Sequence, residues 1–181
     1  MVRQYITAFV LCAALLLAAG NASYAQDVSI AVVDVEKVLN DSRAGKSIQA
    51  QLTARREAFQ KEFASRENKL VEAEKKLIEE KAEMPADEFA TKRREFEQQL
   101  LETRNLFQKR RNSLDKGLNG ALTDLRKNII QVTAEVADEK DYKVVLTRDS
   151  VVIVEKEMDI TETVLKRLDA KIQTIKLDVA K

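Results

Sequence analysis

Of the side chains that most often hold metals or move protons near neutral pH, this sequence offers very few. It has no histidine and a single cysteine, Cys12. That excludes a histidine-based triad, an imidazole metal ligand and a histidine pH switch. One thiol cannot make an intramolecular disulfide or a thiolate metal cluster. No stretch reads as GxxxxGK or GxGxxG, so no phosphate cradle for a nucleotide is present. Carboxylates are plentiful, with 30 Asp and Glu against 31 Lys and Arg. They fall at helix-surface spacing: Glu57→Lys61, Glu62→Arg66, Glu72→Lys76 and Glu88→Lys92 are i,i+4 pairs in the favourable orientation. Such acids solvate a helix; they do not converge on a substrate. The chain is expected to be no enzyme, with no catalytic residue, no metal site and no cofactor.

The elements that position these charges must be long and regular. One Pro and four Gly in 181 residues are far below average usage of roughly 5% and 7%. From Lys46 to Lys116 there is no glycine, and Pro85 is the only breaker. Large apolar residues recur at Ile48, Leu52, Phe59, Phe63, Leu70, Leu77 and Met84. The series resumes at Phe89, Phe96, Leu100, Phe107, Leu114, Leu118, Leu122, Leu125, Ile129, Val132 and Val136. Steps of four and seven suit a coiled-coil seam with one stutter near Phe59. Pro85, followed by Asp87 and Glu88, has the form of a helix start with Pro at the first helical position. It therefore marks the tip of an antiparallel hairpin; a single unbent helix in a parallel coil is the alternative. The pairs Ile48/Leu122, Leu52/Leu118, Phe63/Phe107 and Leu70/Leu100 are all centred on residue 85, while Leu77/Phe96 and Met84/Phe89 drift slightly. Residues 67–91 carry a net charge of −4 and residues 92–116 a net charge of +4, so folding at Pro85 lays an acidic limb beside a basic one.

The ends read differently. Met1 to Ala25 has a positive start at Arg3, an apolar run from Tyr5 to Ala19, and small Ser23 and Ala25 before a cleavage point. This is a secretory signal peptide cut after Ala25; its core is short of the roughly 20 residues a spanning helix needs. The mature chain from Gln26 is expected to be uncharged overall, which removes any generic argument for nucleic-acid binding. Val28 to Asp34 reads as a strand, with Val28, Ile30 and Val32 on one face. Val35 to Asn40 is a short helix or turn, and Asp41 or Ser42 caps the next helix. Beyond Val136, Tyr142 to Thr147 reads as a strand with Tyr142, Val144 and Leu146 on one face. Arg148 to Ser150 is a turn, and Val151 to Glu155, with Val152 and Val154, a further strand. Asp159 and Glu162 have capping-box spacing for a helix from Ile160 that could reach Leu177. Three short strands make a small body with open edges, so self-association through it is the physical expectation.

The fold class is thus α+β. A body of residues 26–42 and 139–170 carries a helical arm over residues 43–138, and residues 171–181 form a tail. Ile30-Ala31-Val32-Val33-Asp34, the Gly45 helix start, the charged hairpin, Tyr142-Lys143-Val144-Val145-Leu146 and Asp159-Ile160-Thr161-Glu162-Thr163-Val164-Leu165-Lys166 together resemble the Skp (seventeen-kilodalton protein), or OmpH-like, family of periplasmic chaperones. The resemblance implies a jellyfish-like homotrimer whose β body holds three helical arms around a cavity. It implies an ATP-independent holdase that keeps unfolded outer-membrane proteins from aggregating in the periplasm. A structural coiled-coil spacer or stalk of the envelope is the alternative. Phe59, Met84, Phe89 and Phe96, with Lys92, Arg93 and Arg94, are the client-contact candidates, and Met84 and Phe89 near the tip are expected to be the more exposed. Val28, Ile30, Val32, Tyr142, Val144, Leu146, Val152 and Val154 are the candidates for the trimer body. A membrane surface or lipopolysaccharide is a further partner class, which the zero charge of the mature chain does not favour, and no lipopolysaccharide residues are carried over.

Overall fold

A computed structural model of the chain describes residues 28–179; the signal peptide and Cys12 lie outside the described residues. Strand β1 (Ile30–Val33) leads into helix α1 (Val35–Asp41), then α2 (Arg43–Glu80), α3 (Ala86–Glu139), strand β2 (Val144–Thr147) and helix α4 (Thr161–Lys171). No helix among the described residues is long and apolar enough to cross a membrane.

Each helix start has a local cause. Asp34 Oδ1 accepts from Lys37 N–H at 2.8 Å and caps α1. Ser42 Oγ accepts from Gly45 N–H at 3.1 Å and caps α2, satisfying a donor the helix leaves open. The corner between α1 and α2 is tight: a Cβ on Gly45 would stand 1.8 Å from Leu39 O, so only glycine fits. Pro85 sits one position earlier than its expected place, as the cap residue before α3, and its carbonyl accepts from Phe89 N–H at 3.0 Å. A proline has no N–H to lose at such an end.

At 1.5 Å per residue, α2 is about 57 Å long and α3 about 81 Å. They form the expected antiparallel hairpin. Its register follows the seam: the rings of Phe63 and Phe107 meet edge to face at 4.3 Å between centroids, and Phe59 packs on the same Phe107 at 5.4 Å. Near the tip Lys92 bonds Glu80 at 3.0 Å, and lower down Arg110 approaches Glu62 at 3.9 Å. Of the four helix-surface pairs singled out by spacing, Glu62–Arg66 and Glu88–Lys92 are ion pairs.

The core lies at the base. Ile48 and Leu52 of α2 and Ala121, Leu125, Ile129, Val132 and Val136 of α3 pack with Val38 and Leu39 of α1 and with Val164 and Leu168 of α4. β1 and β2 are parallel, with Ile30 opposite Val144 and Val32 opposite Leu146. Ala31, Val33 and Val145 face this core. Across the base, Lys37 pairs with Glu162, Arg167 holds Glu139 through both oxygens, and Lys171 holds Glu135.

The carboxyl-terminal third departs from expectation in three places. Val151 to Glu155 is not a strand: β-branched residues favour extended backbone, but within one chain no neighbour offers ladder bonds, and Val152 is 95% exposed. The third position beside β1 is taken instead by a single parallel bridge between Val32 and Asp159, with Ile160 N–H donating to Val32 O at 2.9 Å. Asp159 is not the N-cap, a place taken by Ile160; its Oδ1 accepts from Thr161 N–H, and Glu162 turns to Lys37 instead of closing a capping box. Finally, α4 stops at Lys171 and does not reach Leu177. Residues 172–179 run as a strap over the base of the hairpin, with Ile172, Ile175, Leu177 and Val179 packed on its core.

Candidate functional site

Two surfaces can do work: the flank of the arm and one face of the sheet. On the arm, the seam takes one side chain of each apolar doublet. Leu70, Leu77 and Leu100 are half-buried, whereas their neighbours Val71, Ile78 and Leu101 are exposed, Ile78 to 67%. Val71 and Ile78 are seven residues apart and share one helix face. The cross-arm pairs Glu80–Lys92 and Glu62–Arg110 each have numbers that add to 172. Val71 and Leu101 satisfy the same relation, so they stand at the same height on the arm. These three aliphatic residues were missed in reading the sequence as a seam. The signal that could have found them is the doublet itself, because a seam of period 3.5 buries only one of two adjacent residues.

The predicted client-contact residues sort differently. Phe59, Met84, Phe89 and Phe96 are all half-buried. The expectation that Met84 and Phe89, near the tip, are the more exposed is corrected. Lys81 Nζ lies 5.7 Å from the centroid of the Phe89 ring, and the five-residue turn between α2 and α3 leaves Glu80 and Lys92 close enough to pair. The ring left exposed is Phe63, at 42%, although it packs edge to face on Phe107. The cations are engaged. Lys92 bridges Glu80 and Glu88, and its hydrogen bond to Glu80 raises its pKa. Arg93 binds Glu97, and Arg94 Nε donates to Ala90 O. They compensate acids and backbone of their own arm. Lower on the arm, Arg55, Arg56, Arg110 and Arg111 line a cleft of about 500 Å³ with Phe59 and Val179, and Arg110 Nε is buried without a hydrogen-bond partner.

On the sheet, period-two geometry sends Ile30, Val32, Val144 and Leu146 to the face away from the core. Val144 and Leu146 are exposed, Ile30 is half-buried, and Val32 is already covered within the chain. Val28 and Tyr142 do not join this face. Val28 lies before β1 and is exposed. Tyr142 lies in the turn leaving α3, where Asp141 adopts φ 57° and Tyr142 N–H closes on Ala137 O at 2.9 Å; its side chain packs on the core. Val152 projects into solvent and Val154 is half-buried. The sheet thus presents exposed apolar side chains, Val144 and Leu146, on the face away from the core, and the extended residues 151–155 have no ladder partner among the described residues.

Two carboxylates, Glu135 and Glu139, clamp α3 to α4. The hydrogen bond from Lys171 holds the Glu135 carboxyl below its ordinary range, and that from Arg167 does the same for Glu139. No group of side chains that could hold a metal ion occurs among the described residues.

A family model described as outer membrane protein (OmpH-like) matches residues 29–168. Among solved structures, the chain is similar to a protein of Caulobacter crescentus CB15 assigned as an outer membrane chaperone (OmpH-like). The TM-score is 0.80 at 20% identity, over 84% of this chain and 90% of that one. At that identity the likeness shows the fold. No curated protein matches the chain.

Proposed function

This chain belongs to the OmpH-like outer membrane protein family, and from that premise we propose that it is an ATP-independent periplasmic holdase for unfolded outer-membrane proteins. The observation that carries the reading is the arm: a helical hairpin rising from the core and presenting Phe63, Val71, Ile78 and Leu101 to solvent. A side chain of that size contributes about 1.5–3 kcal/mol when fully covered, and less when, as here, it is covered in part. Several such contacts hold a client through avidity, and each remains weak enough for release. Covering apolar surface needs no nucleotide, metal or cofactor.

The same reading makes the protein a homotrimer. Ile30, Val144 and Leu146 meet their counterparts around the body, and residues 151–155 find strand partners there. Three arms then enclose a cavity with their aliphatic flanks inward. The amino-terminal segment directs export and is removed after Ala25.

Dilution of a urea-denatured β-barrel membrane protein into buffer tests the function. Near-stoichiometric trimer should suppress light scattering, and sizing should show a complex. Unchanged scattering would remove the holdase reading and favour an envelope spacer.

A further inference from the structure

Residues 172–179 lie in the groove between α2 and α3 at the foot of the arm, beyond the part of the chain that the family model matches. The groove is built for extended backbone. Gln51 uses both ends of its amide: Nε2 donates to Ile175 O at 2.7 Å, and Oε1 accepts from Leu177 N–H at 3.0 Å. Reading one carbonyl and one N–H two residues apart is what a neighbouring strand does, and it asks nothing of side-chain identity. On the α3 side Gly117 lets the strap lie flat, since a Cβ there would stand 2.4 Å from Asp178 O. The strap alternates: Ile175, Leu177 and Val179 pack inward, with Leu177 only 4% exposed, while Lys176 and Asp178 face water.

A site that recognises main chain and takes aliphatic side chains at every second position does not specify one sequence. It fits any extended segment of that pattern, and alternation of apolar and polar residues is the pattern of a membrane β-strand. We propose that this groove is a binding site for extended polypeptide with aliphatic side chains at alternate positions, and that residues 172–179 are its intramolecular occupant, displaced by a client segment. The proposal rests on the holdase reading and adds to it a peptide site apart from the arm flank. A tethered occupant competes at an effective concentration on the order of millimolar, so only a segment that binds well, or one already held by the arm, displaces it.

The test uses the full chain and a fluorescein-labelled nine-residue peptide with Ile, Leu or Val at alternate positions and polar residues between. Anisotropy titration compares wild type with the release variant Ile175→Ser/Leu177→Ser, checked for wild-type circular dichroism. The release variant should bind the peptide saturably and at least about 10-fold more tightly than wild type, the tethered strap being the competitor. A peptide of the same composition with its apolar residues in one block should not bind, and adding Gln51→Ala to the release variant should abolish binding. Equal binding by wild type and release variant, binding of the block peptide, or binding that survives Gln51→Ala would each overturn the proposal. Should the double variant not fold, Leu177→Ser alone is the milder release and is judged by the same criterion. Light scattering with a denatured β-barrel client separates this idea from the one beneath it. Wild type that fails to suppress scattering removes the holdase reading. Suppression that is normal in a release variant that binds no peptide removes the groove alone.

Discussion

Gly117 and Gly120 are three residues apart on α3, yet replacing each by alanine should have opposite effects. In a helix interior, Gly→Ala stabilises by about 0.8–1.0 kcal/mol through reduced backbone entropy. At Gly120 nothing lies within 4 Å of the added Cβ, so Gly120→Ala should deliver that gain in full. At Gly117 the Cβ would meet Asp178 O at 2.4 Å, Asp178 C at 3.1 Å and a Val179 methyl at 3.3 Å. Two of these are backbone atoms and cannot rotate away. Ordinary contact begins near 3.4 Å, so the strap must retreat by about 1 Å, a gap that forfeits roughly a quarter to a half of each dispersion contact. Overpacking of this kind costs typically 1–3 kcal/mol, which cancels or exceeds the helical gain. The two variants should therefore differ by about 1–3 kcal/mol, or roughly 2–4 °C in Tm per kcal/mol at matched protein concentration. Hydrogen exchange gives a local readout, because the Leu177 amide is held by Gln51 and should lose protection in Gly117→Ala only. Equal Tm gains in the two variants, with the Leu177 amide equally protected, would refute the seating of the strap on Gly117.

The clamp between α3 and α4 should be sensitive to acid. Glu135 and Glu139 have folded pKa values below their unfolded ones, so their stabilisation is complete above the ordinary glutamate range. It is lost as the pH falls through that range and then through the depressed values. Thermal melts between roughly pH 6 and 3 should show a shallower decline for Glu135→Gln/Glu139→Gln than for wild type, and parallel curves would contradict this. In the proposed trimer, Val144→Asp should shift sedimentation to monomer while the helical dichroism persists; a trimer that survives the charge would mean the sheet face is not the contact. Ile78→Ser/Leu101→Ser should leave Tm nearly unchanged, because exposed substitutions usually stay within about 0.5 kcal/mol, yet require several-fold more protein to suppress client scattering. A double-mutant cycle on Phe63→Ala and Phe107→Ala should give a coupling of about 0.5–1.5 kcal/mol; zero coupling would show that the edge-to-face contact is not formed in solution.

The hairpin was legible in the sequence because its signals are local and redundant. A seam of period 3.5, one proline and compensating charge limbs all point to the same fold-back. Residue type and position narrowed the cap of α2 to Asp41 or Ser42, and the structure uses Ser42. The regions that were not legible depend on something the local chain does not contain. Val151 to Glu155 has strand propensity, but a strand exists only with a partner, and the single chain supplies none. The reach of α4 was overestimated because Leu168, Ile172 and Ile175 continue helical spacing, and only Ile175, Leu177 and Val179 switch to period two. Gln51 carries no signature at all: a glutamine on a helix surface is ordinary until a backbone lies against it. At the arm the apolar seam was legible and the exposure of individual side chains was not. Near the tip Phe89 is half-buried, and the aliphatic doublets left their second members outside.

The parallel pairing of β1 with β2 joins Ile30 to Val144 across the whole arm. For a flexible chain, closing a loop of that length costs about 4 kcal/mol beyond a constant, and contacts so distant in sequence slow folding. The hairpin removes much of that separation. Once the turn at residues 81–85 has formed, each α2–α3 contact brings the next within short reach, and closing it to the base delivers the two strands almost to one another. The arm is thus also the folding device of its own body. On this topology the two strands are expected to meet after the hairpin has closed, so that the sheet face is completed last.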